Sequence, residues 1–291
     1  MKKFVLPAFA AAAIVASAPA IAADIAPVYK AAPAPVYVNP WNVAIGGAVM
    51  TDYNFRGISQ SDRGPSAGAY FEGQYKASEA VTFYAGIAGW SVDLVTNPTA
   101  EIDYYGGIRL TYDKFSWDFG AMYYHYPKEG IAGVVGPVDT DFWEVYGKFS
   151  WAMTDAFTVG AAIYYADDWL KTGASGTYLS GTAKYVFTPS TAPVGAYVSG
   201  EIAHYWLGTQ TLLLPASDLP DYTYWNAGIG FTYKALTLDL RYHDTDLSPE
   251  NCSVLSGNVS GFTSTGAGTS KWCGEAYIAK LSFDTTLNDL K

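Results

Sequence analysis

The chain has 291 residues, of which 16% are aromatic and only 15% are charged, with a formal net charge of −10 and two cysteines. The aromatic content excludes an intrinsically disordered chain, because such chains are poor in aromatic residues and rich in charge. Two cysteines exclude a disulfide-rich scaffold, and the acidic balance argues against a nucleic-acid partner. The length fits two soluble domains or one large all-β unit.

Residues 1–22 have the pattern of a secretory signal peptide: two lysines, a charge-free stretch and the small residues Ala-Ile-Ala before a cleavage point after Ala22. The alternative, a membrane anchor, fits poorly with the two prolines and the alanine-rich composition of this stretch. Residues 23–40 contain four prolines, which favour an extended periplasmic linker, with a docking segment as the alternative. The sequence therefore predicts a chain exported to the cell envelope.

After the linker, segments rich in Tyr, Phe, Trp, Val and Ala recur, and no stretch of 18 apolar residues is available for a transmembrane helix. The length of these segments fits strands that cross a bilayer, which need about 9–11 residues. The twelve predicted segments are residues 41–53, 66–77, 80–92, 101–112, 115–126, 141–152, 156–167, 176–187, 194–207, 222–233, 236–246 and 272–283.

Alternating side chains give many of these segments one apolar and one charged face. In residues 101–112, for example, isoleucine, tyrosine and leucine share one side, whereas Glu101, Asp103 and Arg109 share the other. The connections alternate between short and long along the chain, as do the periplasmic turns and extracellular loops of outer-membrane barrels. A soluble sandwich has no reason to sort its loops in this way. The sequence therefore predicts a transmembrane antiparallel β-barrel of about twelve strands.

Four short blocks resemble the TorF family of proteobacterial porins. They read TDYNFRGISQS at 51–61, EIDYYGG at 101–107, DFG followed by YYHYP within 118–127, and EVY at 144–146. The first block is the most specific, and the C-terminal half shows no matching motif. The resemblance implies a porin-like barrel and transport, without naming a solute.

The charged faces supply the candidate functional residues. An Arg or Lys facing lipid at mid-membrane costs about 2–4 kcal/mol, so these side chains are expected to point inward. Rings of side chains around a lumen set its ion preference, and seven of these residues are acidic against five basic. The alternative is that opposite charges pair across a narrow lumen and plug it. The predicted pore-lining residues are Asp52, Glu72, Asp103, Arg109, Asp118, Glu144, Lys148, Lys184, Glu201, Asp239, Arg241 and Lys280.

The two cysteines, Cys252 and Cys273, flank a loop rich in Ser, Gly and Thr. In an oxidising envelope they are expected to form a disulfide that stabilises this loop or holds it near the pore mouth. With no histidine beside them, they match no metal-ligand spacing.

The sequence contains few of the residue patterns that are typical of an enzyme active site. His243 has Asp244 and Asp246 nearby, which would suit an outer-membrane hydrolase, but no serine has the neighbourhood of a nucleophile and no Gly-x-Ser-x-Gly elbow occurs. We expect no enzyme activity, no cofactor and no metal.

The sequence thus predicts an all-β outer-membrane barrel over residues 41–283 and a periplasmic tail over 284–291. The predicted function is passive diffusion of small hydrophilic solutes or ions through a narrow, mildly cation-preferring lumen. A non-conducting barrel whose long loops bind a partner is the alternative. The expected partners are the lipid of a Gram-negative outer membrane and the barrel-assembly machinery, since residues 277–283 have the alternating, Phe-ending form of an assembly signal. The sequence leaves open whether the chain forms a homo-oligomer.

Overall fold

The computed structural model describes residues 39–131, 138–187, 193–212 and 215–290. The predicted signal peptide and most of the predicted linker lie outside these residues. The described chain forms a closed antiparallel β-barrel of twelve strands, in which each strand pairs with its neighbour in the chain and the last pairs with the first. This confirms the predicted fold class.

The barrel strands are numbered here in chain order. They are β1 Trp41–Met50, β2 Ser66–Lys76, β3 Val81–Trp90, β4 Glu101–Tyr112, β5 Phe115–His125, β6 Phe142–Ala152, β7 Phe157–Ala166, β8 Gly176–Phe187, β9 Gly195–Leu207, β10 Tyr222–Tyr233, β11 Leu236–Thr245 and β12 Ala276–Thr286.

Alternation along each strand separates an outward apolar face from an inward face. In β6, Trp143 and Val145 are more than half exposed, whereas Glu144 and Tyr146, which alternate with them, are buried. Because side chains alternate across a strand, the exposed apolar positions form the outer surface, which faces lipid in an outer-membrane barrel. Aromatic side chains gather near the strand ends, as in the Trp41–Tyr75 and Tyr123–Trp143 pairs, with ring centroids 4.9 and 4.7 Å apart.

The connections follow the predicted alternation of short and long. The periplasmic turns after β4 and β10 contain two residues each, and their Asp113 and Lys234 have φ values of 52° and 54°. The extracellular loops carry short elements of their own: the 3-10 helix Trp169–Lys171, the helix α1 at Pro249–Ser256, and three hairpins of two-residue strands. These hairpins pair Asn54–Phe55 with Ile58–Ser59, Thr209–Gln210 with Ser217–Asp218, and Gly261–Phe262 with Gly268–Thr269. Within the described residues, no helix is long and apolar enough to cross a membrane.

The last strand differs from its predicted position. The sequence placed it at 272–283, whereas β12 runs from Ala276 to Thr286. Two contacts explain the shift: the disulfide to Cys252 ties Cys273 to α1, and the end of β12 continues its pairing with β1 to Thr286. Trp272 is buried in the loop before β12.

Candidate functional site

Eleven of the twelve predicted pore-lining residues occupy inward-facing positions of the barrel strands. Glu72, Asp103, Glu144 and Lys184 are at most 3% exposed, and the other seven are buried or half-buried. The twelfth, Asp52, lies beyond the end of β1, where its Oδ1 accepts hydrogen bonds from the hydroxyls of Ser59 (2.6 Å) and Ser61 (3.2 Å). Asp52 therefore stabilises the conformation of the loop that follows β1.

The first group of lumen charges lies on β2 to β6. Arg109 donates two hydrogen bonds to the Glu72 carboxylate, at 2.6 and 2.8 Å, and its Nε lies 3.5 Å from Asp118. The Tyr84 hydroxyl donates to Asp118 at 2.5 Å and contacts the Tyr146 hydroxyl at 2.6 Å. These five side chains form one network along neighbouring strands.

A second group lies on β9 to β11. The Arg241 guanidinium donates to both oxygens of Asp239 at 2.9 Å, to Asn226 Oδ1 at 2.5 Å and to Ser199 Oγ at 2.7 Å. The Tyr197 hydroxyl donates to the same Asp239 at 2.6 Å. In both groups the charged side chains pair sideways, that is, with residues on the same or nearby strands of the wall. Their charges are therefore neutralised without a residue from the far side of the barrel.

The element that crosses the lumen was not predicted. The hairpin of Asn54–Phe55 and Ile58–Ser59, here called the inserted hairpin, folds from the loop after β1 into the barrel. Its two-residue turn has φ values of 49° at Arg56 and 90° at Gly57. A Cβ at Gly57 would lie 2.2 Å from Thr245 Cγ2 on β11, so the tip touches the wall there and has no space for a side chain.

Arg56 carries the contacts of the tip. Its Nη1 and Nη2 donate to the two oxygens of Glu144 at 2.7 and 2.8 Å, and both side chains are 1% exposed. Nη1 also donates to the Tyr205 hydroxyl at 3.0 Å, and the Tyr222 hydroxyl donates to the Arg56 carbonyl oxygen at 2.9 Å. On the other side, Glu144 accepts a 2.9 Å hydrogen bond from Tyr124. Arg56 is thus in a buried, bidentate ion pair.

Aromatic rings complete the surroundings of this guanidinium. Its central carbon lies 4.7 Å from the ring centre of Tyr164, 4.5 Å from that of Tyr178 and 5.0 Å from that of Tyr205. Phe55 of the hairpin itself adds a fourth ring at 4.6 Å. A cation within about 6 Å of a ring centre is attracted by the negative face of the ring. We call Glu144, Tyr164, Tyr178 and Tyr205 the cation cage.

The base of the inserted hairpin is fixed by two further sets of contacts. The Tyr53 and Tyr126 hydroxyls both donate to Glu101, the second at 2.8 Å. The loop closed by the disulfide lies over the hairpin, where Trp272 donates from Nε1 to Asp62 at 2.7 Å and accepts at its carbonyl oxygen from the Ser59 N–H at 2.9 Å. The disulfide loop therefore holds the hairpin from the extracellular side. The predicted Cys252–Cys273 disulfide is confirmed.

Sequence reasoning missed two features of the lumen. The first is a lining of inward tyrosines, which share the strand parity of the predicted charges, such as Tyr105 with Asp103 and Tyr146 with Glu144. The second is the hairpin, whose signal was an Arg-Gly pair between short strands, a pattern that suits a tight two-residue turn. The same residues form the most specific block of the TorF resemblance.

Outside the membrane-spanning strands, the ligand oxygens of Glu129, Asp139 and Asp141 lie within 4.8 Å of one another. Glu129 accepts hydrogen bonds from the N–H and the hydroxyl of Thr140, both at 2.6 Å. Partial burial opposes the ionisation of Asp141, but the N–H of Tyr126 and the side chains of His125 and Tyr123 outweigh it and lower its pKa. These contacts shape the loop, and we assign no metal to them.

The histidine considered for hydrolysis is engaged elsewhere. His243 Nδ1 lies 2.7 Å from the Tyr224 hydroxyl. Asp244 accepts from the Tyr242 hydroxyl at 2.7 Å, and Asp246 accepts from the Thr223 N–H at 2.7 Å. Both neighbouring carboxylates are thus used in local structure.

Several solved outer-membrane proteins are similar to this chain. An outer membrane channel from Pseudomonas putida F1 is 9% identical, with a TM-score of 0.48, over 91% of this chain and all of that one. The NanC porin is 9% identical, with a TM-score of 0.44, over 84% and 98%. A loop-deletion mutant of OmpT, an outer membrane protein of Vibrio cholerae, is 8% identical, with a TM-score of 0.39, over 85% and 100%. Such distant likenesses say nothing of what this barrel carries. No curated protein matches the sequence.

One family model covers most of the chain. It matches residues 35–269, a range that includes the inserted hairpin and most of the barrel, and its description reads "Bacterial protein of unknown function (Gcw_chp)". The TorF name stays a prediction from the sequence blocks. The chain belongs to the Gcw_chp family of bacterial proteins.

Proposed function

We propose that this outer-membrane barrel is a narrow channel for small hydrophilic solutes or ions, and that the inserted hairpin closes it in the conformation described here. Transport, rather than catalysis, is the activity proposed. The lumen prefers cations and conducts passively when the hairpin leaves it.

This proposal rests on one observation: the charges of the barrel wall pair with one another, whereas the residues that cross the lumen belong to the inserted hairpin. The wall charges are neutralised by residues on nearby strands, as Arg109 is by Glu72 and Arg241 by Asp239. The residues that reach across the lumen belong to a loop, with Arg56 at its tip. Removal of the loop would therefore leave a polar lining in which the networks of Arg109 and Arg241 are still paired and Glu144 is released. A closure built from the wall could not move in this way without opening the barrel.

The cation preference rests on the extracellular end of the lumen. Glu101, Asp103 and Glu144 all point inward there and are at most 2% exposed. Among the described strands, the inward positions in the last four residues toward this end hold no Lys or Arg. Of these three carboxylates, Glu144 pairs with the loop arginine, and its charge would attract cations once Arg56 is withdrawn.

The second candidate is a non-conducting barrel that displays its loops to a partner. It is favoured by the burial of the ion pair that holds the hairpin, since Arg56 and Glu144 are each only 1% exposed. A buried pair of this kind is costly to break. The two candidates differ in whether the hairpin ever leaves the lumen.

Planar-bilayer recording of the refolded full chain separates them. The test variant replaces residues 54–59 by two glycines, and the control shortens the exposed turn at 263–266, which lies outside the barrel. We expect rare or small openings from the wild type and the control, and sustained conductance from the hairpin variant. A hairpin variant that shows the heat-dependent gel mobility of a folded barrel but no channel events would exclude the channel.

Ion preference is tested in the same hairpin variant. Asp103→Asn removes one inward carboxylate near the extracellular end without touching the wall networks of Arg109 and Arg241. We expect the reversal potential in a salt gradient to move toward the non-selective value. An unchanged potential would mean that this carboxylate does not face the conducting path.

A further inference from the structure

We propose that the cation cage is a binding site for a guanidinium-bearing solute and that Arg56 occupies it as an internal substitute for that solute. The solute would reach the cage through the lumen, so this inference rests on the proposed channel. It adds the chemical class of the solute and the residues that select it.

The cage has the parts that recognition of a guanidinium requires. Glu144 meets the two terminal nitrogens of Arg56 with two nearly equal hydrogen bonds, the geometry in which a planar guanidinium matches a carboxylate. The Tyr205 hydroxyl accepts a third hydrogen bond. Three strand-borne rings stand within 5.0 Å of the central carbon. A primary ammonium would satisfy the charge but not the paired hydrogen bonds.

The cage belongs to the wall and not to the hairpin. Its carboxylate and its three tyrosines lie on β6, β7, β8 and β9, which are consecutive strands of the barrel. Glu144 is positioned by Tyr124 from β5, and Tyr178 by its 2.9 Å hydrogen bond to Glu201. Because these supports come from the wall, withdrawal of Arg56 leaves the four groups in place. What remains is an acidic, aromatic site without its cation.

The local charge excludes anions and disfavours neutral solutes. A negative ligand would meet Glu144 together with the nearby carboxylates of Glu101 and Asp103, all three nearly inaccessible to water. A neutral ligand would leave the Glu144 charge buried without a counter-charge, which is strongly unfavourable. The cage thus selects a cation, and its paired hydrogen bonds select a planar one.

The test measures whether a small guanidinium binds in the space that is left when the Arg56 side chain is truncated. The full chain carrying Arg56→Ala is refolded in detergent, and binding of ethylguanidinium is measured by isothermal titration calorimetry. Ethylurea has the same shape without the charge and serves as the ligand control. The double variant Arg56→Ala with Glu144→Gln serves as the protein control.

We expect ethylguanidinium to bind Arg56→Ala at least about tenfold more tightly than ethylurea does, and at least about tenfold more tightly than it binds the wild type, whose cage is occupied. The double variant should lose at least about tenfold of this affinity. Equal binding to the single and the double variant would overturn the proposal, as would equal binding of the two ligands. Arg56→Ser, which leaves nearly the same space and keeps a small polar side chain at the tip, replaces Arg56→Ala if the latter lacks the heat-dependent mobility of a folded barrel.

The binding measurement needs no membrane and no conduction, so the two proposals fail separately. Binding without conductance in the hairpin variant would leave the cage as a ligand site of a non-conducting barrel. Conductance without selective binding would leave a channel in which Arg56 is only a structural closure.

Discussion

Substitution of Glu144 by glutamine should release the inserted hairpin. The change keeps the size of the side chain and its ability to accept one hydrogen bond, but it removes the charge that neutralises Arg56. The guanidinium would then be buried, at 1% exposure, opposite a neutral amide. Since Arg56 sits on a loop, the hairpin can carry it out to water, so we expect release rather than unfolding of the barrel.

The size of the effect follows from the geometry. Removal of one partner of a buried ion pair costs about 3–5 kcal/mol, because the remaining charge is left without compensation. The contacts of Arg56 with Tyr205 and the aromatic rings survive the substitution, so the lower end applies. About 3 kcal/mol corresponds to roughly a hundredfold rise in the population with the hairpin outside the lumen.

Limited proteolysis with trypsin measures this population, because trypsin cuts after Arg56 only when the hairpin is exposed. Where opening and closing are faster than cleavage, the cleavage rate follows the open fraction. Mass spectrometry distinguishes this cut from the one after the more exposed Arg63. Glu72→Gln is the matched control, since Glu72 also forms a bidentate pair with a buried arginine, but that arginine, Arg109, belongs to the wall. Equal cleavage rates in Glu144→Gln, the control and the wild type would refute the reasoning.

Three further outcomes are expected. Conversion of Cys252 and Cys273 to serine removes a constraint worth about 3 kcal/mol on the chain-entropy account, and hydrogen exchange in the inserted hairpin should speed up; unchanged exchange would mean that the loop does not hold it. Gly230→Ala would set a Cβ 2.0 Å from a tyrosine ring and should destabilise the barrel by about 1–3 kcal/mol in urea titrations, whereas Gly181→Ala, with no atom within 4 Å of its Cβ, should not; equal stabilities would contradict the packing. Asp141 has a lowered pKa in the folded state, so its contribution to loop stability is complete above its unfolded pKa of about 3.9 and is lost as the pH falls through the folded value. Loop protection in Asp141→Asn should therefore differ from that of the wild type at pH 7 and converge with it in strong acid; a constant difference would show that the charge is irrelevant.

The sequence predicted the barrel closely because apolar and polar side chains alternate along its strands. Strand β4, predicted at 101–112, has those bounds in the structure, and so do β8 and β10. A one-residue slip would turn charges toward lipid, so the alternation fixes both the strand and its inward face. The last strand was displaced because a disulfide, which leaves no periodic trace, decides where the sheet resumes after Cys273.

The candidate site was predicted only in part, since its key contacts join distant residues. Alternation identified Glu144 as inward, but nothing local to it indicates a partner 88 residues earlier in the chain. The loop after β1 looked like an ordinary extracellular connection, because whether a loop folds outward or inward depends on what the lumen offers it. The inward tyrosines were overlooked because an aromatic residue fits either face of a barrel strand.

The sideways pairing of the wall charges has a consequence for how this barrel tolerates sequence change. Each salt-bridge network, such as that of Glu72, Arg109 and Asp118, closes within a few neighbouring strands. A substitution in the hairpin therefore leaves the charge balance of both networks intact. The charges of hairpin and wall can therefore vary separately except where Arg56 meets Glu144, and there a change on either side requires a matching change on the other.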